Sequence, residues 1–359
     1  MFKTNIHNFR AISIILVVFG HCYFFGISTF ADNDDLYVKV IRNLISGGSA
    51  FFVFISGFLF HHIFYKNFKF KEFMIKKTKY VLVPYLLLST IPIVYLLIKI
   101  CISGILSSNT LSLRYDELLA FPVFRHYLTG VDKSFAGYWY IPFIMIVFAI
   151  SPLFVRFIKL KLKTSIVITL FLLICSVFIH KSLEGIEYNM FSVFQNVFYF
   201  SPIYLFGIIS SENKNILYSK IKGNEFYILS IALSLAIFQA YIGEFGNYHK
   251  DPFTFGGIDL MIIQKILLCL FFMIFLNRFE NYKLRFLEII AANSFGVFFT
   301  HGIVIWFIGI LKWKLDFSFT SNSFIIYCMV SSLVFFVSLI ITLFIKRILP
   351  NYSRYLVGS

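Results

Sequence analysis

The chain has 359 residues, 59% of them hydrophobic and only 14% charged, with 49 phenylalanines and a mean hydropathy of +0.84. A soluble domain carries roughly 25% charged residues, so this composition excludes one and marks a polytopic membrane protein. The net charge of +15 does not mark a nucleic-acid binder either, because Lys and Arg alternate from connection to connection as the positive-inside rule demands.

Apolar stretches long enough to span a bilayer, roughly 17 to 25 residues each, fall near 11–30, 44–63, 80–103, 136–156, 164–180, 191–210, 226–243, 258–277, 287–311 and 323–345. The expected fold is all-α: a helical bundle of about ten transmembrane helices, a single domain over residues 1–359 with no appended soluble domain. With the N-terminus in the cytoplasm, the inner connections collect Lys3, Arg10, the lysines from Lys66 to Lys79, Arg156 to Lys163, Lys214 to Lys222, Arg278 to Arg285, and Lys346, Arg347 and Arg354. Both termini are then cytoplasmic, and the tail after Arg347 is too short to fold by itself. The first span is not a cleavable signal peptide: it is long, carries His21, and is followed by Asp32-Asn33-Asp34-Asp35 rather than a small-residue cleavage site. Cys22, Cys101, Cys175, Cys269 and Cys328 all lie in apolar spans without paired spacing, so neither a disulfide framework nor a metal site is indicated.

In chain order, the first run carries Arg10 and His21. Eleven residues apart on a helix is about three turns, so the two share a face and lie roughly 16 Å apart along the axis. Ionisable groups at that depth are costly and ordinarily face a protein interior or a wet cavity. Taken alone, the pair is equally a functional site or an arrangement in which Arg10 merely anchors the helix at the interface and His21 donates to a carbonyl of a neighbouring helix. The second span ends in Phe51 to His62, where Ser56 and Gly57 allow another backbone to approach closely. Lys66 to Tyr80 interleaves lysines with aromatics like an interfacial helix, and Lys76 and Lys79 share a face before Pro84. That pair serves either headgroup contacts or attraction of a polyanion such as the phosphates of coenzyme A.

The longest outer loop, about 104–135, contains Arg114, Asp116, Glu117, Arg125, His126, Asp132 and Lys133, and leads to Tyr138, Trp139 and Tyr140. These aromatics have the composition of an interface belt, and are equally suited to stacking on a sugar ring. Further outer loops carry His180, Glu184 and Glu187, then Glu244, His249 and Asp251. Lys265 stands well inside an apolar run, where a lysine needs a partner or water. Counted from Arg285, His301 lies about 24 Å up its helix, on the outer half like His21, which makes a shared cavity more plausible than either histidine does singly.

This order of motifs resembles the acyltransferase-3 family, integral membrane O-acyltransferases that modify bacterial envelope glycans, over essentially the whole chain. Arg10 and His21 meet the family's Arg, ten residues, His pattern; Phe51 to Leu59 is similar to its Phe-Phe-x-x-Ser-Gly-Phe-Leu with one residue more. Lys76 and Lys79 before Pro84 resemble its basic pair, Trp139 to Pro142 its Trp-Phe-Leu-Pro element, Tyr199 to Gly207 its Tyr-Phe…Phe-x-x-Gly helix, and Ser294 and His301 its Gly-Lys-x-Ser…His ending. Lysines stand where the family usually has arginines, which gives up bidentate phosphate recognition, and Ala291-Ala292 replaces Gly-Lys.

The resemblance implies an acyl-CoA-dependent O-acetyltransferase of the bacterial inner membrane, with acetyl-CoA supplied from the cytoplasm and an envelope polysaccharide or glycolipid hydroxyl as acceptor. On this reading His21 is the base, Arg10 holds the donor, Lys76 and Lys79 attract its nucleotide phosphates, His301 orients the acceptor, and Tyr138 and Trp139 contact it. No metal and no nucleic acid take part, and an acyl-histidine intermediate stays open. The rival is a transporter or flippase for a lipid-linked or anionic solute, against which stand the ordered motifs and the lack of an internal repeat.

Overall fold

The computed structural model describes residues 4–24, 35–106, 125–130, 137–182, 190–243, 257–282, 284–315 and 324–359, and every regular element in them is helical. Asp32 to Asp34, Arg114, Asp116, Glu117, Asp132, Lys133, Glu184, Glu187, Glu244, His249 and Asp251 lie outside the described residues. The first crossing is α1 (Thr4–Phe24), and the second joins α2 (Leu36–Ile45) to α3 (Ser49–Leu59). Next come α4 (Phe70–Lys77) and α5 (Val83–Leu106), linked by a π turn over Thr78–Leu82. The pair α6 (Tyr140–Ala149) and α7 (Ser151–Ile158) bends by 55°. There follow α8 (Leu162–Ile179), α9 (Met190–Glu212), and the pair α10 (Lys214–Ile221) and α11 (Glu225–Tyr241), which meet at 87°. The chain closes with α12 (Leu260–Phe275), α13 (Arg285–Ala292), α14 (Ser294–Lys314), α15 (Phe324–Ile348) and the short α16 (Ser353–Leu356).

Eight of these segments are long and apolar enough to cross a bilayer, and ten are when each bent pair counts as one span. Large apolar side chains such as Val167, Phe171, Phe191, Ile325 and Met329 stay exposed, as a lipid-facing surface requires. Between helices in lipid the hydrophobic effect gives little, and close backbone packing matters more. Gly57 and Gly207 show this directly. A side chain on Gly57 would overlap the Tyr204 carbonyl oxygen, and one on Gly207 the Phe54 carbonyl oxygen, so α3 and α9 touch backbone to backbone through the two glycines. Phenylalanines fill the remaining space: Phe9 packs against Phe51, Phe54 and Phe272 at ring-centroid distances of 5.7, 6.0 and 5.4 Å.

Three local features depart from the expected spans. The second span is not one helix from residue 44, because the chain breaks between α2 and α3 at Gly47, whose φ of +72° suits glycine. The carbonyls this break orphans inside the membrane are met by Lys265, whose Nζ donates to the Asn43 and Leu44 oxygens at 2.9 and 2.8 Å. The ninth span breaks at Asn293, between α13 and α14, so a count from Arg285 does not measure the depth of His301. The tail after Arg347 does acquire structure by docking: α16 packs beside α5, and Ser353, Val357 and Ser359 are buried.

Candidate active site

Helix α1 is unbroken from Thr4 to Phe24, so the three-turn spacing places Arg10 and His21 along one side of a single rod. His21 meets His301 of α14: His21 Nδ1 and His301 Nε2 are 2.9 Å apart, with the two rings stacked at 5.0 Å. The proton positions follow from the partners. His301 Nδ1 lies 3.1 Å from the Val297 carbonyl oxygen, which only accepts, so that nitrogen carries hydrogen. In a neutral ring His301 Nε2 then accepts, so His21 Nδ1 donates and His21 Nε2 keeps its lone pair. Exposure divides the pair in the same way, since His301 is wholly buried while His21 keeps partial access.

The wall beside His21 is the turn that opens α6. Gly137 stands at φ +85°, and a side chain there would come within 2.8 Å of His21 Cε1 and 3.4 Å of Nε2. Both its backbone and its neighbour therefore demand glycine. The turn is pinned by the next residue: Tyr138 donates its hydroxyl to the Phe299 carbonyl at 2.8 Å, and Tyr85 donates to the His126 carbonyl at 2.9 Å. Tyr138 and Trp139 are both buried, Trp139 against Phe143 and Phe200. The ammonium of Lys181 stands 4.0 Å from the Trp139 ring centre, and it is near enough to His21 to act on it electrostatically.

Toward the N-terminal end of α1, the Arg10 guanidinium lies over the Phe295 ring at 5.5 Å. Lys77, not Lys76 or Lys79, is the lysine that turns inward to join it. Its ammonium sits 4.3 Å from the Phe148 ring centre, with Phe64 and Phe73 at 5.1 and 5.2 Å, and within electrostatic reach of Arg10. Among the described residues neither Arg10 nor Lys77 makes a hydrogen bond or an ion pair, and both keep partial access. Lys76 points to the exterior, and Lys79 lies at the rim over Tyr355, 4.8 Å from its ring centre. Ser294 is buried and returns its hydroxyl to the Ala291 carbonyl at 3.0 Å, a local helix-end contact. The structure thus brings His21 and His301 together between α1 and α14, with Arg10 further along the same two helices against Phe295. It adds Lys77, Gly137 and Lys181, which carry no signal in the sequence beyond being a lysine in a basic run, a glycine before an aromatic belt, and a lysine at a span end.

A buried histidine paired with a partly accessible one inside a many-helix bundle, with two cations toward one end, belongs to a polytopic membrane protein. The chain belongs to the acyltransferase-3 family: the family's acyltransferase domain matches residues 3–343, nearly the whole chain, and the protein is a membrane acyltransferase. No curated protein and no solved structure matches it.

Proposed function

We propose that the protein moves an acetyl group from cytoplasmic acetyl-CoA to a hydroxyl of an envelope polysaccharide or glycolipid on the far side of the bacterial inner membrane. The observation that carries this reading is the 2.9 Å contact between His21 and His301, set above Arg10 and Lys77. An O-acyl transfer needs a base for the attacking hydroxyl, a cationic site for the donor and a positive field for the oxyanion. His21 Nε2 takes the acceptor proton as the hydroxyl oxygen bonds to the thioester carbon. Collapse of the tetrahedral adduct breaks the C–S bond, and the imidazolium returns its proton to the leaving thiolate. His301 is a positioning residue: its proton on Nδ1 is committed to Val297, so its Nε2 holds His21 in the tautomer that presents Nε2 as base.

Arg10 and Lys77 hold the donor's phosphate or pantetheine oxygens, Lys76 and Lys79 attract the nucleotide at the entrance, and Lys181 supplies positive charge at the outer end. Tyr138 and Trp139 act through Gly137, keeping the wall against His21, and the acceptor approaches past them. The test is transfer of labelled acetyl from acetyl-CoA to envelope polysaccharide in membranes holding equal amounts of wild type or His21→Ala. Base-labile label is expected with wild type, and a loss of about 10²–10⁴-fold in the variant. Normal transfer by His21→Ala would sink the assignment of the base, and no transfer by wild type with any acyl-CoA would sink the reaction.

A further inference from the structure

Lys181 and Lys265 border one cavity that nothing above assigns. Its walls include Gly47 from the break before α3, Tyr199 and Phe200 of α9, Met261 and Lys265 of α12, and Lys181 just past the end of α8. The space measures about 240 Å³ with its open mouth, and its interior has room for a group about the size of one water. It lies beside the histidine pair. A side chain on Gly48, next to Gly47, would come within 3.2 Å of Val17, and Val17 is one turn before His21 on the same side of α1. From the opposite wall, the Lys181 ammonium stands 4.0 Å from the ring centre of Trp139, two residues after the Gly137 that walls His21, and it is within electrostatic reach of His21.

The chemistry of the walls narrows what enters. Among the described residues, no acidic side chain lines the cavity. Asp259 stands behind Tyr199 with both oxygens in use, Oδ2 accepting from the Tyr199 hydroxyl at 2.8 Å and Oδ1 from the Met261 N–H at 2.9 Å. The Tyr199 proton is thereby committed, so toward a ligand the phenol oxygen accepts. Lys265 gives two N–H bonds to the Asn43 and Leu44 carbonyls, which are neutral and leave its positive charge in place. Two ammonium groups around so narrow a space in low dielectric favour an anion, and room for a single small group favours a flat carboxylate over a tetrahedral phosphate. We propose that this cavity is an acceptor subsite for a carboxylate, so that the glycan is acetylated on an acidic sugar. One carboxylate oxygen enters to meet Lys181, and the ring stays outside with a hydroxyl at His21 Nε2. The Tyr199 oxygen takes a hydrogen bond from a further hydroxyl of the glycan. The donor offers no competing group, since acetyl-CoA carries phosphates but no carboxylate and its cations on this reading, Arg10 and Lys77, stand toward the other end of α1.

The inference rests on the acetyl-transfer reading above, and the experiment separates the two. Envelope polysaccharide from the producing cells is freed of esters with mild base, and half of it is carboxyl-reduced, which turns each carboxylate into a hydroxymethyl group and leaves the ring hydroxyls. Both forms are offered, with labelled acetyl-CoA, to the full chain in membranes. Wild type is expected to label the native form at least about tenfold faster than the reduced form. Equal labelling of the two forms overturns the subsite alone. Failure of wild type to label either form from any acyl-CoA removes the reaction and the subsite with it. Faster transfer from succinyl-CoA than from acetyl-CoA, with reduction of the acceptor without effect, places the carboxylate on the acyl group and overturns the acceptor subsite. Lys181→Gln gives a second reading. Its KM for the native polysaccharide is expected to rise about 10- to 100-fold with KM for acetyl-CoA unchanged, and Lys181→Arg is expected to restore most of the loss. On the reduced polysaccharide Lys181→Gln and wild type should then be equal. An equal loss on both forms makes Lys181 only a charge beside His21 and contradicts the proposal.

Discussion

Lys265 and Lys77 pose one physical problem, an ammonium carried inside an apolar bundle, and the protein answers it in two ways. Lys265 is 1% exposed and spends two of its three N–H bonds on the carbonyls of Asn43 and Leu44 at the broken end of α2. A cation at a helix C-terminus is favoured by the aligned peptide dipoles as well, so this charge is satisfied internally. Lys77 has three aromatic faces and the neighbouring Arg10 guanidinium, yet neither cation makes a hydrogen bond or an ion pair among the described residues. Like charges brought together in low dielectric repel, and on the proposed reading the donor's phosphate or pantetheine oxygens offset that repulsion when they bind. On that reading, the difference separates a lysine that holds the fold from one that binds the donor.

The comparison breaks most easily at Lys265. Lys265→Met keeps the stem and removes the ammonium, orphaning two carbonyls at about 1–3 kcal/mol each. The expected result is a large loss of monodisperse protein and a lower thermal midpoint in detergent. A Met variant as stable as wild type but inactive would make Lys265 a functional cation and erase the distinction. Next in size is His301, which carries no net charge on this reading. His301→Ala is expected to lower kcat by about 10²-fold, since it forfeits most of what a positioned base contributes, with KM for acetyl-CoA nearly unchanged. A rise in KM without a fall in kcat would make it a binding residue instead.

The apolar spans and the shared face of Arg10 and His21 were legible, because each follows from local geometry: the length of an apolar run, or 3.6 residues per turn along one helix, whereas the contact of His21 with His301, 280 residues away, was not fixed by any local count. What could not be read was anything settled by a partner far away in sequence. The break at Gly47 is tolerated because Lys265 reaches it from more than 200 residues on. The break at Asn293 made a count from Arg285 meaningless. Lys77 was missed for a sharper reason. Pairing Lys76 with Lys79 overlooks that Lys77 stands one turn after Phe73 in α4 and so shares the face that Phe73 buries, while Lys76 falls on the exposed side. The tail, too short to fold alone, orders only because α5 and α14 offer it a seat.

Lys77 tests the inward half of the comparison. Replacing it with Met leaves the aromatic cage around a side chain of similar length and orphans no hydrogen bond, so Lys77→Met is expected to fold and insert as wild type does. A charge-assisted hydrogen bond contributes about 1.5–3 kcal/mol, so KM for acetyl-CoA should rise about 10- to 100-fold, with kcat at saturation held. Lys76→Met, one residue away on the exposed side, is the control. A solvent-exposed charge contributes about 0–1 kcal/mol and is screened by salt, so its effect should stay within several-fold and fade at high ionic strength. If the two variants exchange these outcomes, the donor is held at the surface by the rim lysines, and the inward Lys77 takes no part in binding it. If they do not, direct binding of CoA measured at low and high salt should show Lys77→Met weakened about equally in both, because a site walled by Phe64, Phe73 and Phe148 lies outside the reach of mobile counterions.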